Sequence, residues 1–233
     1  MNKDRKKAFL TDHFAFENLS AADVEYLAAN AQTRVVEAGE TVFFKDDPST
    51  NLVAVVSGGV QIRTVSEDGK ELLLNAMRAG EMFGEIGAID GGERTGDAVA
   101  VERSELLTID RRFFIDVIER NPAFCKSLLV LLCSRIRATS QQAEDLALLD
   151  LKIRLAKKLV ALAEARNDAA GDGGKDKDIV LRLTQREVGA MMGTTREAIN
   201  KHLNAWAKDG LISLGRNEIV IVDREGLRRV FDA

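Results

Sequence analysis

Between Arg34 and Val101 the chain is broken into short apolar runs separated by turn-forming residues, and this texture constrains the fold more than any other feature. The runs are Thr41–Phe44, Leu52–Val56, Val60–Val65, Glu71–Met77 and Asp97–Val101. Between them stand Ala38-Gly39, Asp46-Asp47-Pro48, Ser57-Gly58-Gly59, Glu67-Asp68-Gly69 and Ala79-Gly80. Many short strands at this spacing predict a β-sandwich or jelly-roll barrel. On either side the texture is helical, over 8–31 with Leu19, Val24, Leu27 and Ala31 among the apolar positions, and again over 111–149.

Asn121-Pro122 punctuates the second helical stretch, and Pro122 suits the first turn of a new helix. A helix from there to about Leu149 would be roughly 42 Å long at about 1.5 Å per residue. Within it Cys125, Leu129, Leu132, Ile136, Thr139, Ala143 and Leu146 follow heptad spacing; a helix packed on its own sandwich needs only a looser stripe, and a seam held over three heptads favours a parallel partner helix and hence a homodimer. Thr139 is the polar exception on that seam. Asp150 is placed to cap a further helix over 151–166. Residues 167–178, NDAAGDGGKDKD, read as a flexible polar loop, and Ile179–Leu183 as a short strand.

Composition removes several classes of function. No run of about 18 apolar residues exists that could span a bilayer. The basic start MNKDRKKAFLTDHF is followed by no apolar signal core, so a cytoplasmic location is expected. Two cysteines, Cys125 and Cys133, and two histidines, His13 and His202, offer no metal cluster, haem site or disulfide framework. Residues 1–150 hold 17 Lys+Arg against 25 Asp+Glu, whereas residues 151–233 hold 16 against 12. An acidic module joined to a basic one suggests that only the C-terminal part meets a polyanion.

Residues 80–100, GEMFGEIGAIDGGERTGDAVA, carry the residues of an anion site. Gly84 and Gly87 let backbone N–H groups approach a phosphate, and a helical turn starting near Glu85 would aim its positive end there. Arg94 can pair with two phosphate oxygens and Thr95 adds a hydroxyl. Glu85 beside an anion fits a ribose hydroxyl. A glycine-rich hairpin with an incidental arginine would show the same residues.

Residues 184–204, TQREVGAMMGTTREAINKHLN, have the spacing of two capped helices. Thr184 with Glu187 forms a capping box, Gly193 suits a left-handed turn, and Thr194 or Thr195 caps the second helix. Val188, Met192, Ile199 and Leu203 supply a small core, with Gly189 at the helix crossing. Thr195, Arg196, Glu197, Asn200 and Lys201 then lie near the start of the second helix, where Arg can read guanine and Glu can accept from cytosine. A solvated charged face would look similar, but the helix pair and the following hairpin over Leu211–Val222 favour DNA. His202 reads as a packing or phosphate-side residue.

FGEIG followed by ERTGDA resembles the phosphate-binding cassette of cyclic-nucleotide-binding domains. The order of strands, cassette, two helices and helix-turn-helix resembles the family of the cyclic AMP receptor protein and the fumarate-nitrate reductase regulators, from about Glu17 to Val222. Ala138-Thr139-Ser140 followed by Asp145-Leu146-Ala147-Leu148-Leu149-Asp150 places it nearest the cyclic AMP receptor proteins. The resemblance implies an α+β protein: an N-terminal jelly-roll cyclic-nucleotide-binding domain over 1–121, a dimerisation helix over 122–149 and a winged helix-turn-helix over 150–233. It implies cyclic AMP as allosteric ligand, held at Gly84, Glu85, Ile86, Arg94 and Thr95, with the base read by Thr139 of one subunit and Ser140 of the other. Thr95 and Gly96 depart from the usual serine and alanine, and the threonine extends the expected ligands to cyclic GMP. The implied partners are a palindromic operator in double-stranded DNA, a second copy of the chain and RNA polymerase. No catalytic group, metal or membrane enters the expectation. The alternative is a ligand-independent regulator whose cassette is vestigial.

Overall fold

The computed structural model describes residues 1–13, 16–67, 69–170 and 178–232. The chain divides into two compact units, Met1–Thr64 with Leu73–Ala138, and Val65–Leu72 with Thr139–Ala233.

In chain order the first stretch forms α1 (Lys3–Asp12), α2 (Ala21–Asn30), β1 (Gln32–Val36), β2 (Thr41–Phe43), β3 (Asn51–Ser57), β4 (Gly59–Val65), β5 (Glu71–Arg78) and β6 (Met82–Phe83). There follow α3 (Glu85–Asp90), β7 (Asp97–Ala100), β8 (Ser104–Asp110), α4 (Arg111–Arg120) and α5 (Pro122–Leu148). The strands form two four-stranded sheets, ordered β1-β8-β3-β6 and β2-β7-β4-β5, as a jelly-roll requires. All five expected apolar runs lie on strands; β1, β6 and β8 are additional. Asp68, in one of the expected turns, lies outside the described residues.

The β3 run Leu52-Val53-Ala54-Val55 is continuously apolar because both of its faces are buried. Val53 and Val55 join Val36, Val60, Met77, Phe83, Ala98, Ala100 and Leu106 between the sheets. Leu52 and Ala54 point the other way, with Leu107 and Ile109 of β8, onto a core of Leu10, Phe16, Leu27, Phe114 and Phe124. The helical texture over 8–31 spans the end of α1 and the whole of α2. Ser20 interrupts it as the N-cap of α2, its side chain accepting from the Asp23 N–H at 3.1 Å.

Pro122 opens α5, and Asn121 Oδ1 caps it by accepting from the Phe124 N–H at 3.0 Å. Phe124 and Leu128 of α5 are buried, while Leu129, Ile136 and Leu146 of the expected seam are 56%, 64% and 45% exposed. Cys125 and Leu132, also assigned to that seam, are half-buried.

The second unit contains α6 (Leu151–Ala170), β9 (Ile179–Leu181), α7 (Gln185–Met192), α8 (Arg196–Lys208), β10 (Ile212–Gly215), β11 (Glu218–Ile221) and α9 (Arg224–Arg228). Helix α6 runs four residues past the point where the polar loop was expected. Residues 171–177 of the expected loop lie outside the described residues. Leu155, Leu159 and Ala163 of α6, one turn apart, pack with Val188, Ile199, Leu203, Trp206, Ile212 and Ile219. The three-stranded sheet β10-β11-β9 supplies the wing, turning at Asn217 with φ +60°.

Candidate functional site

Strand β6 ends at Gly84, whose φ of +78° is open to glycine and costly for other residues. A Cβ there would also stand 2.2 Å from Nη1 of Arg94, so the glycine clears the space for that guanidinium. Arg94 is 5% exposed. Its Nη1 donates to the Gly84 carbonyl at 3.1 Å, and its Nη2 donates to the Asn51 carbonyl at 2.8 Å and to Asn51 Oδ1 at 3.0 Å. The guanidinium carbon lies 4.0 Å from the centroid of the Phe43 ring. Burial holds the Arg94 pKa below the usual arginine value, opposed by the nearby Asp47 and Glu85 carboxylates.

Glu85, the first residue of α3, is 1% exposed, and its carboxylate is ion-paired to the guanidinium of Arg135. Arg135 donates from its other terminal nitrogen to the Met82 carbonyl. The partner envisaged for Glu85 from the sequence was a neutral hydroxyl, and Arg135 was not singled out. Its signal was present: it stands four residues before Thr139 on the same helix, hence on the same side. Oε2 of Glu85 and Nε of Arg94 are both buried without a hydrogen-bond partner among the described residues. Beside Arg135 a cavity of about 200 Å³ is lined by Asn75, Met77, Met82, Leu131, Ser134 and Ala138.

Gly84, Glu85 and Arg94 thus converge. Ile86, 44% exposed, and Thr95, also exposed, border them in sequence. Gly96 has a packing reason, since a Cβ there would meet the Arg63 carbonyl at 3.0 Å. Thr139 and Ser140 lie exposed on α5, in the part of the chain that belongs to the second unit.

In that unit the capping box of α7 is complete, with Glu187 N–H donating to Thr184 Oγ1 at 3.2 Å and Thr184 N–H to Glu187 Oε2 at 2.6 Å. Gly193 turns the chain at φ +61°, and a Cβ on Gly189 would meet the Thr194 carbonyl at 3.0 Å, so glycine sets the close helix crossing. Thr195 caps α8, accepting from the Ala198 N–H at 3.3 Å. Thr195, Arg196, Glu197 and Lys201 are exposed, and Arg196 Nε donates to Gln185 Oε1 at 3.2 Å. Asn200 corrects the expectation of an exposed side chain: it is half-buried with Oδ1 inside, because it stands one turn before the buried Leu203 on α8. His202 is half-buried, with its ring centroid 6.3 Å from that of Trp206. Burial lowers its pKa, assisted by Lys201 and Lys152. Among the described residues no group of three or more His, Cys, Asp or Glu could hold a metal, and no helix is long and apolar enough to cross a membrane.

A barrel holding a buried arginine at a glycine turn, followed by a capped helix pair and wing, defines a ligand-binding domain joined to a DNA-binding one. Residues 33–121 match the cyclic nucleotide-binding domain family and residues 153–230 the Crp-like helix-turn-helix domain family. The chain is 31% identical over 214 residues to the CRP-like cAMP-activated global transcriptional regulator of Mycobacterium tuberculosis, covering 92% of this chain and 94% of that one. It is 30% identical over 206 residues to the cyclic AMP receptor protein of Thermus thermophilus, covering 88% and 91%. Among solved structures it is similar to the c-di-GMP responsive global regulator CLP of Xanthomonas campestris, with a TM-score of 0.75 at 25% identity, covering 87% of this chain and 99% of that one. The chain belongs to the cyclic AMP receptor protein and fumarate-nitrate reductase regulator (CRP/FNR) family, whose members are transcriptional regulators and not enzymes.

Proposed function

We propose that cyclic AMP binds the Gly84–Glu85–Arg94 cradle and thereby gates operator binding by a homodimer of this chain. The observation that carries the reading is the pair of buried, unpartnered atoms at the cradle, an acceptor on Glu85 and a donor on Arg94. Buried polar atoms left unpaired are costly, and a ribose hydroxyl with a cyclic phosphate supplies both complements. Ile86 and Thr95 border the ligand, and Thr139 and Ser140 read its base, one from each subunit. Cyclic GMP shares the ribose and phosphate and binds the same cradle, with Thr95 as its additional contact. The ligand acts by population shift, favouring the DNA-competent conformer to the extent that it binds that conformer more tightly.

In this reading Thr195, Arg196, Glu197, Asn200 and Lys201 face the major groove of a palindromic site. The exposed Leu129, Ile136 and Leu146 of α5 meet a second copy, RNA polymerase is a further partner, and the protein works in the cytoplasm. Calorimetry with cyclic AMP and cyclic GMP on the wild type and on Arg94→Ala tests the ligand assignment: saturable binding is expected only for the wild type. The ion pair between Arg135 and Glu85 favours a second reading, a ligand-independent regulator, because it gives one Glu85 oxygen a partner from the chain itself. Absence of heat at millimolar nucleotide would select that reading.

A further inference from the structure

The guanidinium of Arg94 is held from three directions. Asn51, the first residue of β3, takes both hydrogens of Nη2, one on its carbonyl at 2.8 Å and one on Oδ1 at 3.0 Å. Gly84 takes one hydrogen of Nη1, and the Phe43 ring lies against the cation at 4.0 Å. Asn51 Nδ2 donates in turn to Thr50 Oγ1 at 3.3 Å, which fixes the carboxamide with its oxygen towards the arginine. An arginine side chain left to itself spreads over many rotamers, and ordering it when an anion arrives would cost affinity. Here the ordering is done by neutral acceptors and a ring, and the Asp47 and Glu85 carboxylates that favour the cation make no hydrogen bond to it. The remaining N–H groups, on Nε and Nη1, therefore keep a fixed direction.

We infer that Asn51 and Phe43 are positioning residues that preset the Arg94 guanidinium for one of the two exocyclic oxygens of a bound cyclic phosphate. The inference rests on the proposed cyclic-nucleotide reading of the cradle and adds to it the residues that set its phosphate geometry. A preset guanidinium treats the two exocyclic oxygens unequally, so replacing one or the other by sulfur has unequal effects.

The test uses the full-length protein and the Rp and Sp diastereomers of cyclic adenosine phosphorothioate beside cyclic AMP itself, with affinities from calorimetry. The wild type is expected to separate the diastereomers. Asn51→Ala is expected to bind cyclic AMP about tenfold more weakly, the effect of losing about one hydrogen bond to a charged group, with the Rp/Sp ratio collapsing towards one. Phe43→Leu keeps apolar volume, removes the ring face and is expected to lose about threefold with a smaller fall in the ratio. Asn51→Asp keeps the Oδ1 acceptor and is expected to keep the ratio although its charge weakens binding of both diastereomers. Loss of affinity in Asn51→Ala with the ratio intact would assign Asn51 a merely structural part and overturn the inference. So would unchanged affinity, or a wild type that does not separate the diastereomers. A wild type that binds cyclic AMP, with Arg94→Ala abolishing it, keeps the cradle reading standing through any of those failures. A wild type that binds no cyclic nucleotide overturns both.

Discussion

Arg135 on α5 is ion-paired to Glu85 at the start of α3, fifty residues earlier in the chain. The pair ties the long helix to the turn that carries Gly84 and Arg94 inside one unit, and it places a cation opposite a carboxylate that is otherwise almost wholly buried.

Arg135→Ala leaves that carboxylate without its cation. Removing one partner of a buried pair costs about 3–5 kcal/mol, and with the arginine a quarter exposed the expected loss is about 2–3 kcal/mol. Urea unfolding measures it. The double variant Arg135→Ala/Glu85→Gln is expected to recover about half of the loss, since the charge is then gone.

Gly84→Ala combines a left-handed backbone position with a collision against Arg94. The expected cost is about 1–3 kcal/mol of stability together with a loss of nucleotide affinity, because the guanidinium has to move. Calorimetry and thermal melting on the same preparation separate the two effects.

His13 gives the protein an acid-sensitive element. Packed against Phe9 and Phe16, it has its pKa pushed by burial from 6.5 to about 4. The unfolded chain takes up the proton near pH 6.5, whereas the folded chain takes it up only near pH 4. The neutral imidazole's contribution is therefore whole above pH 6.5, is lost as the pH falls towards 4 and changes no further below that. The total is about 3 kcal/mol at most. Between pH 7 and 4.5, wild-type stability is expected to drop by about 2 kcal/mol more than that of His13→Phe. Equal drops would show that His13 titrates normally.

Arg196→Ala is expected to lose roughly 1–3 kcal/mol of operator affinity and to relax preference at one base pair. Binding measured against a panel of single-base variants checks this. An equal loss on every sequence would make Arg196 a phosphate contact.

How much of this was legible in the sequence depended on the range of the interaction. Thr184 with Glu187 and Gly193 with Thr195 are local signals, and the helix pair they delimit lies where the spacing put it. The apolar β3 run was equally plain, since strands buried on both faces show no alternation. Asn51 and Arg135 were not legible as partners of Arg94 and Glu85, because each contact bridges more than forty residues through the closed barrel and the helix packed on it. The half-burial of Asn200 was not legible for a different reason: position on a helix face is graded, and it sits at the edge between the exposed face and the core.

The central claim is that a cyclic nucleotide at the cradle controls DNA binding at α8. It is tested most directly by fluorescence anisotropy with a palindromic duplex selected by the protein from random sequence, titrated at fixed salt with and without saturating cyclic AMP. The account predicts at least about tenfold tighter binding with the nucleotide, a coupling of about 1.4 kcal/mol, and no change for Arg94→Ala. Equal affinity with and without nucleotide in the wild type would contradict it.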